Sequence, residues 1–115
     1  MRVFVEVIVA EEHITVSDVL SGRGNGVASH EGNVYYASLI RERKEEYQKE
    51  TNCKRKKEIA FDLVDQIRNR QPPGRFLKMK PHALAWVVKN DQFAVKKVAQ
   101  ALRERRSNKS SIDSL

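Results

Sequence analysis

DVLSGRGNGVASHEGN, residues Asp18 to Asn33, is the stretch on which the reading of this chain turns. It holds four of the five glycines, an arginine between two of them and a histidine. Gly22, Gly24 and Gly26 free the backbone for left-handed conformations, so the segment can turn tightly and present bare N–H groups. Arg23, with a glycine on each side, has no bulky neighbour to shield it. Ahead of the glycines, Ile14, Val16, Val19 and Leu20 are apolar and are expected to tuck into a core. After Asn33 the pattern changes from loop-like to helical. The stretch therefore reads as an ordered, functional loop that opens the main body of the fold.

Working outward toward the C-terminus, Tyr36, Leu39, Ile40 and Tyr47 recur at helical spacing and predict a helix over about 33–49, with Asn33 as its N-cap. An aromatic stripe at that spacing belongs to a core. Thr51 and Asn52 can cap a second helix to about Asn69, whose apolar stripe is Ile59, Ala60, Leu63, Val64 and Ile67. Its first turn carries Lys54, Arg55, Lys56 and Lys57, four cations at the end where the helix dipole favours anions. Three uses fit them: contacts to phosphate, a KRKK nuclear-import signal, or a solvated basic face. Gln71-Pro72-Pro73-Gly74 ends that helix. Arg75 to Met79 and Leu84 to Val88 then read as a hairpin reversing at Pro81-His82, with Trp86 as a core anchor under the sheet. Lys78, Lys80 and Lys89 lie near its tip and ends, where a wing can meet phosphates. Asn90 or Asp91 caps a last helix to about Arg105. Ala94, Val95, Val98, Ala101 and Leu102 face inward, and Lys96, Lys97, Gln100 and Arg103 lie outside. Gln100 has the chemistry to read a base edge, and the cations to bind phosphate.

Toward the N-terminus, residues 2–9 are rich in β-branched side chains and predict a strand. Apolar on nearly both faces, it needs cover or a second chain on its edge, so dimerisation through it is an expectation. Residues 1–106 form one domain on this reading, and 107–115 a flexible polar and basic tail. Together these elements predict an α+β fold, three helices packed on a small antiparallel sheet. The hairpin lies between the second and third helices, and the N-terminal strand is an extra one.

A length of 115 residues gives one modest core. The net charge of +7 favours a polyanionic partner, and the charge is unevenly spread. Residues 1–20 sum to −3 and 21–50 to zero, whereas 51–80 carry +6 and 81–115 carry +4. A partner-facing surface is thus expected in the second half. The apolar start is too short to span a bilayer, which gives a soluble, intracellular protein and no membrane partner. Cys53 is the single cysteine and cannot form an internal disulfide.

The catalytic signatures are missing from the sequence. His13, His30 and His82 lack the spacing of a metal site, and one cysteine cannot build a zinc cluster. Gly22-Arg23-Gly24-Asn25-Gly26 lacks the Gly-Lys-Ser/Thr that closes a phosphate-binding P-loop. Cys53 beside Lys54 and Arg55 has no base partner. The expectation is a non-enzyme without metal or cofactor.

The residues so far carry a resemblance. DVLSGRG at 18–24, His30, Gly32, Asn33, the Tyr36/Leu39/Ile40/Tyr47 helix, Ile59-Ala60, GRFLK at 74–78, Trp86 and QALRE at 100–104 occur in order. Over residues 17–104 they resemble a family of domains of unknown function abundant in diatom proteins. The resemblance implies a shared fold and no settled biochemistry. The turn MKPHALA departs from the family's polar, acidic turn, and the N-terminal strand lies outside the match.

The functional expectation is nucleic-acid binding, DNA ahead of RNA because no RNP-like aromatics mark the hairpin, in a nuclear, transcription-related setting. The expected site residues are Arg23, Lys54, Arg55, Lys56, Lys57, Arg75, Lys78, Lys96, Lys97, Gln100 and Arg103. Of these, Arg23, Arg75, Lys78 and Lys97 are expected to converge on one basic surface. The alternative is a protein-interaction domain of a regulatory protein, using the N-terminal edge strand or the glycine loop.

Overall fold

The computed structural model describes residues 6–22, 26–80 and 85–104. In chain order it contains β1 (Ile8–Ala10), a 3-10 turn (Glu11–His13), β2 (Val19–Ser21), α1 (Glu31–Lys49) and α2 (Cys53–Arg68). The hairpin strands β3 (Phe76–Met79) and β4 (Ala85–Lys89) follow, and α3 (Asp91–Arg103) closes the order. The strands form one sheet in the order β1-β4-β3-β2. The α+β expectation therefore holds, with the hairpin between the second and third helices. Of the expected N-terminal strand and glycine loop, residues 2–5 and 23–25 lie outside the described residues, as do the 81–84 reversal and the 107–115 tail.

The sheet is mixed rather than wholly antiparallel. β1 and β3 run antiparallel to β4, but β2 lies parallel to β3, with Val19 opposite Phe76 and Leu20 opposite Leu77. A parallel pair needs a long crossover, and α1 with α2 supplies it. The sequence reading took Val19 and Leu20 as core residues without giving them a strand. Three residues are too few to show alternation, yet they alternate. Val19 enters the core on the helix side, and Leu20 packs with Val9, Leu77 and Trp86 on the other side.

Two cores flank the sheet. The larger one buries Phe76 and Val19 beneath the stripes of all three helices, including Leu39, Leu63, Ile67, Val98 and Leu102. Full burial of a side chain such as Phe76 contributes about 3 kcal/mol. The smaller core holds Trp86 on the opposite face, beneath Ile14 and Val27. Tyr47 is buried and Tyr36 meets Phe76 edge-on at 6.3 Å, as expected for a tyrosine stripe turned inward.

The start of α1 shows why HEGN stands where it does. Asn33 is not the N-cap; the helix begins two residues earlier, at Glu31. Its carboxamide instead closes on the outer edge of β2. Nδ2 donates to the Leu20 carbonyl at 2.9 Å, and Oδ1 accepts the Leu20 N–H at 2.7 Å. It satisfies the two backbone groups that an edge strand leaves open. One turn away, the His30 Nε2–H donates to the Thr15 carbonyl at 3.0 Å. Gly32 sits so close to the backbone of residues 16–18 that a Cβ there would collide with the Asp18 carbonyl.

Asp18 completes this frame. Its side chain is fully buried, and accepts from Thr15 N–H at 2.8 Å and Arg75 N–H at 3.0 Å. The Arg75 guanidinium adds Nε at 3.1 Å and Nη2 at 2.8 Å. Burial alone pushes the Asp18 carboxyl up. The Arg75 side chain and the two backbone donors outweigh it and hold the carboxyl below the usual carboxylate range.

Candidate nucleic-acid interface

Two helices and a strand end border an open cleft. On α2, Asn52 caps the helix: its Oδ1 accepts the Lys54 N–H at 2.9 Å and the Arg55 N–H at 3.3 Å. Such a cap contributes about 1 kcal/mol, enough to offset cations near the positive helix end that each cost a few tenths. Cys53 shares a hollow with Arg103, and Phe61 shares the next with Gln92, so α2 and α3 run in opposite directions. Asn90 caps α3 by accepting the Phe93 N–H at 3.0 Å.

The larger hollow has a volume of about 730 Å³ and lies where Lys57 and Phe61 of α2 face Gln92, Val95 and Lys96 of α3, with Lys89 at the end of β4. Asp91 is the one acidic residue of this lining, and the Arg68 guanidinium already holds it at 2.6 Å. The cleft continues between the same helices into a hollow of about 340 Å³ bordered by Lys56, Lys57, Lys96 and Arg103. On its other side, Lys89 also borders a depression of about 250 Å³ containing Lys78 and Lys80. Glu6 lies in that depression and pairs with Lys80 at 3.1 Å.

Five of the expected site residues thus fall along one continuous surface: Lys56, Lys57, Lys96 and Arg103 in the α2–α3 cleft, and Lys78 beside it. The others are placed elsewhere. Arg55 pairs with Glu50 at 3.5 Å and borders a different hollow, with Glu46, Glu58 and Asp62. Lys54 is exposed at the start of α2, outside the cleft lining. Gln100 is exposed on α3 and likewise outside that lining. Lys97 turns toward α1, where its ammonium lies 5.5 Å from the centre of the Tyr36 ring; burial lowers its pKa, although Glu104 raises it. Arg75 is bound to Asp18 and, through Nη2, to the His13 carbonyl at 3.1 Å. Arg23 lies outside the described residues. The expected convergence of Arg75 and Lys97 with Lys78 is therefore not what the structure has: two of the three are engaged at separate places in the fold.

Sequence reasoning left Gln92 and Phe61 out of the site, and gave Lys89 a phosphate contact at the hairpin's end without counting it among the site residues. Phe61 is 52% exposed although it is a large apolar side chain. Its signal was its position: it stands off the Ile59/Ala60/Leu63/Val64/Ile67 stripe, where a helix that only packed would carry a polar residue. Phe93 has the Lys89 ammonium over its ring at 5.3 Å. Among the described residues, no ring or cation pairs with Phe61 in this way.

Among the described residues no group of three or more His, Cys, Asp and Glu side chains could hold a metal ion. No helix among the described residues is long and apolar enough to cross a membrane. Compared with known proteins, residues 18–104 match a family described as a domain of unknown function, DUF6824. The chain belongs to that family. The match runs from the first residue before β2 to the first residue after α3, so β1 lies outside it. No curated protein and no solved structure matches the chain.

Proposed function

We propose that this domain binds nucleic acid, DNA ahead of RNA, along the cleft between α2 and α3. The observation that carries the reading is the set of cations drawn from three elements, Lys56 and Lys57 of α2, Lys89 of β4, and Lys96 and Arg103 of α3. They border one cleft whose only acidic lining residue is already paired. Phosphate neutralisation by such a row supplies affinity without sequence preference. Of the two exposed carboxamides in this lining, Asn90 caps α3, and Gln92 is the one offered to a base edge. A nuclear, transcription-related setting accords with the exposed KRKK run.

The test is fluorescence anisotropy with a random-sequence DNA pool, offered as duplex and as separated strands, at about 50 and 200 mM salt. Binding should weaken steeply with salt, and Lys57→Gln or Lys96→Gln should each lower the log–log slope by about 0.9 on duplex. Selection and sequencing of bound fragments then separates a sequence reader from a basic surface. No binding at low salt overturns the proposal.

A second reading rests on β1, one of the two edge strands, where Ile8 and the preceding Val7 are 48% and 57% exposed. An apolar edge of this kind supports strand addition by a second copy or by a protein partner. Self-association that survives high salt and is lost in Ile8→Lys is its signature.

A further inference from the structure

We infer that the cleft takes an unpaired base, so that the preferred ligand is single-stranded rather than duplex nucleic acid. The inference rests on the nucleic-acid reading above and deepens it. Phosphates of a duplex lie on a convex surface and need only exposed cations. A hollow of about 730 Å³ between two helices is concave and large enough for a whole base with its sugar. What stands at its wall is Phe61, half exposed, with no ring or cation paired with it among the described residues. Lys57 lies one turn earlier on the same helix, and Lys89 and Lys96 border the hollow from the other elements.

An aromatic face bordered by cations is the arrangement by which proteins hold single strands: bases stack, and the backbone follows the charge. Gln92 at the same hollow offers a carboxamide to the edge of the stacked base. An acidic amphipathic helix would also meet cations around an apolar anchor. The nucleic-acid occupant is favoured because the cations continue past the aromatic in both directions, to Lys56 and Arg103 along the cleft and to Lys78 beside it. That is a track for a polyanionic chain with one stacking point.

The test uses the full chain with labelled oligothymidylate, the matching duplex and an acidic helical peptide, at one fixed salt concentration. The variants are Phe61→Leu and Phe61→Trp. Phe61 is exposed, so unchanged circular dichroism and thermal melting are expected and are measured alongside. The expected result has three parts. The strand binds more tightly than the duplex. Phe61→Leu weakens the strand roughly tenfold and leaves duplex affinity and the salt slope unchanged. Phe61→Trp restores binding, with its fluorescence quenched on stacking. Strand affinity unaltered in Phe61→Leu, or a preference for duplex, overturns this inference and leaves the basic-surface reading standing. Binding of the acidic peptide alone, lost in Phe61→Leu, overturns both, as does the absence of any binding.

Discussion

Replacing Asp18 by Asn tests whether the family motif builds the frame of the fold. The change keeps the shape, removes the charge and turns one acceptor into a donor. In the wild type the carboxylate accepts four hydrogen bonds, from Thr15 N–H, Arg75 N–H, and Arg75 Nε and Nη2. Removing one partner of a buried ion pair costs about 3–5 kcal/mol. The Arg75 side chain is 33% exposed and can turn partly to water, which puts the expected loss near the lower end, at about 3 kcal/mol. With a urea slope of about 1–3 kcal/mol per molar, the midpoint should fall by about 1–3 M. The effect should also depend on pH. A carboxyl held below its unfolded value contributes stability that is complete above that value, 3.8, and fades as pH falls through the folded one. The gap between wild type and Asp18→Asn should therefore be constant from about pH 7 to 5 and shrink by up to about 1 kcal/mol at pH 3. Urea unfolding of both proteins at each pH measures it. A gap that does not narrow in acid, or that stays under about 1 kcal/mol at neutral pH, would refute the charged, fourfold-bonded account of Asp18.

The same frame and the cleft give further expectations. Asn33→Ala should cost about 2 kcal/mol, two net hydrogen bonds, and open the Leu20 amide to hydrogen exchange; Asn33→Asp should cost at least as much, because a carboxylate cannot donate to the Leu20 carbonyl. Gly74→Ala should lose about 3 kcal/mol in thermal or urea unfolding, since a Cβ there would stand 2.6 Å from the Ile67 carbonyl and 2.7 Å from that of Ser17. Lys54→Gln with Arg55→Gln should leave the salt slope of DNA binding close to wild type, while Lys57→Gln with Lys96→Gln should lower it by about 1.8 on duplex; equal effects from both pairs would mean that the cleft is not the contact surface. Arg75→Met should destabilise the fold and, in the molecules that remain folded, bind DNA as the wild type does.

Helices were legible because their signal repeats. Ile59, Ala60, Leu63, Val64 and Ile67 mark one face of α2 several times over, and of the cap candidates Thr51 with Asn52 and Asn90 or Asp91 the structure has Asn52 and Asn90. The parallel strand was not legible, because Val19 and Leu20 are too few for a period and their partner Phe76 lies beyond two helices. Asn33 was misread for a related reason. As a cap it would act on its own helix, a local effect that sequence can show. It acts instead on Leu20, thirteen positions back, through a contact that exists only once the crossover has formed. The charges were read correctly in sum, but their individual roles depend on neighbours from other elements. Arg75 looks as free as Lys78 in GRFLK until Asp18 is brought beside it.

This last contrast separates two kinds of basic residue in the chain. Arg75 belongs to the ordered motif, and its guanidinium is bound on three sides by groups from the segment before β2. Asn33, His30 and Gly32, also of the motif, bear on that same segment. These four motif residues thus converge on residues 13–20 and fix how the start of α1 and the start of β3 meet β2. None of them borders the α2–α3 cleft. Of the residues that do, Lys56, Lys57, Phe61, Lys89 and Lys96 lie outside the motif and hold much of the charge that makes the second half of the chain basic, while Arg103 belongs to the motif and to the cleft at once. The frame around Asp18 and the proposed binding surface are thereby assigned to different residues. Substitutions at Arg75, Asn33, His30 and Gly32 should therefore change stability and leave binding by the folded fraction intact, while substitutions in the cleft should do the reverse. A variant at one of these four with native stability and lost DNA binding would break that division, and would send the search for the site back to the glycine loop.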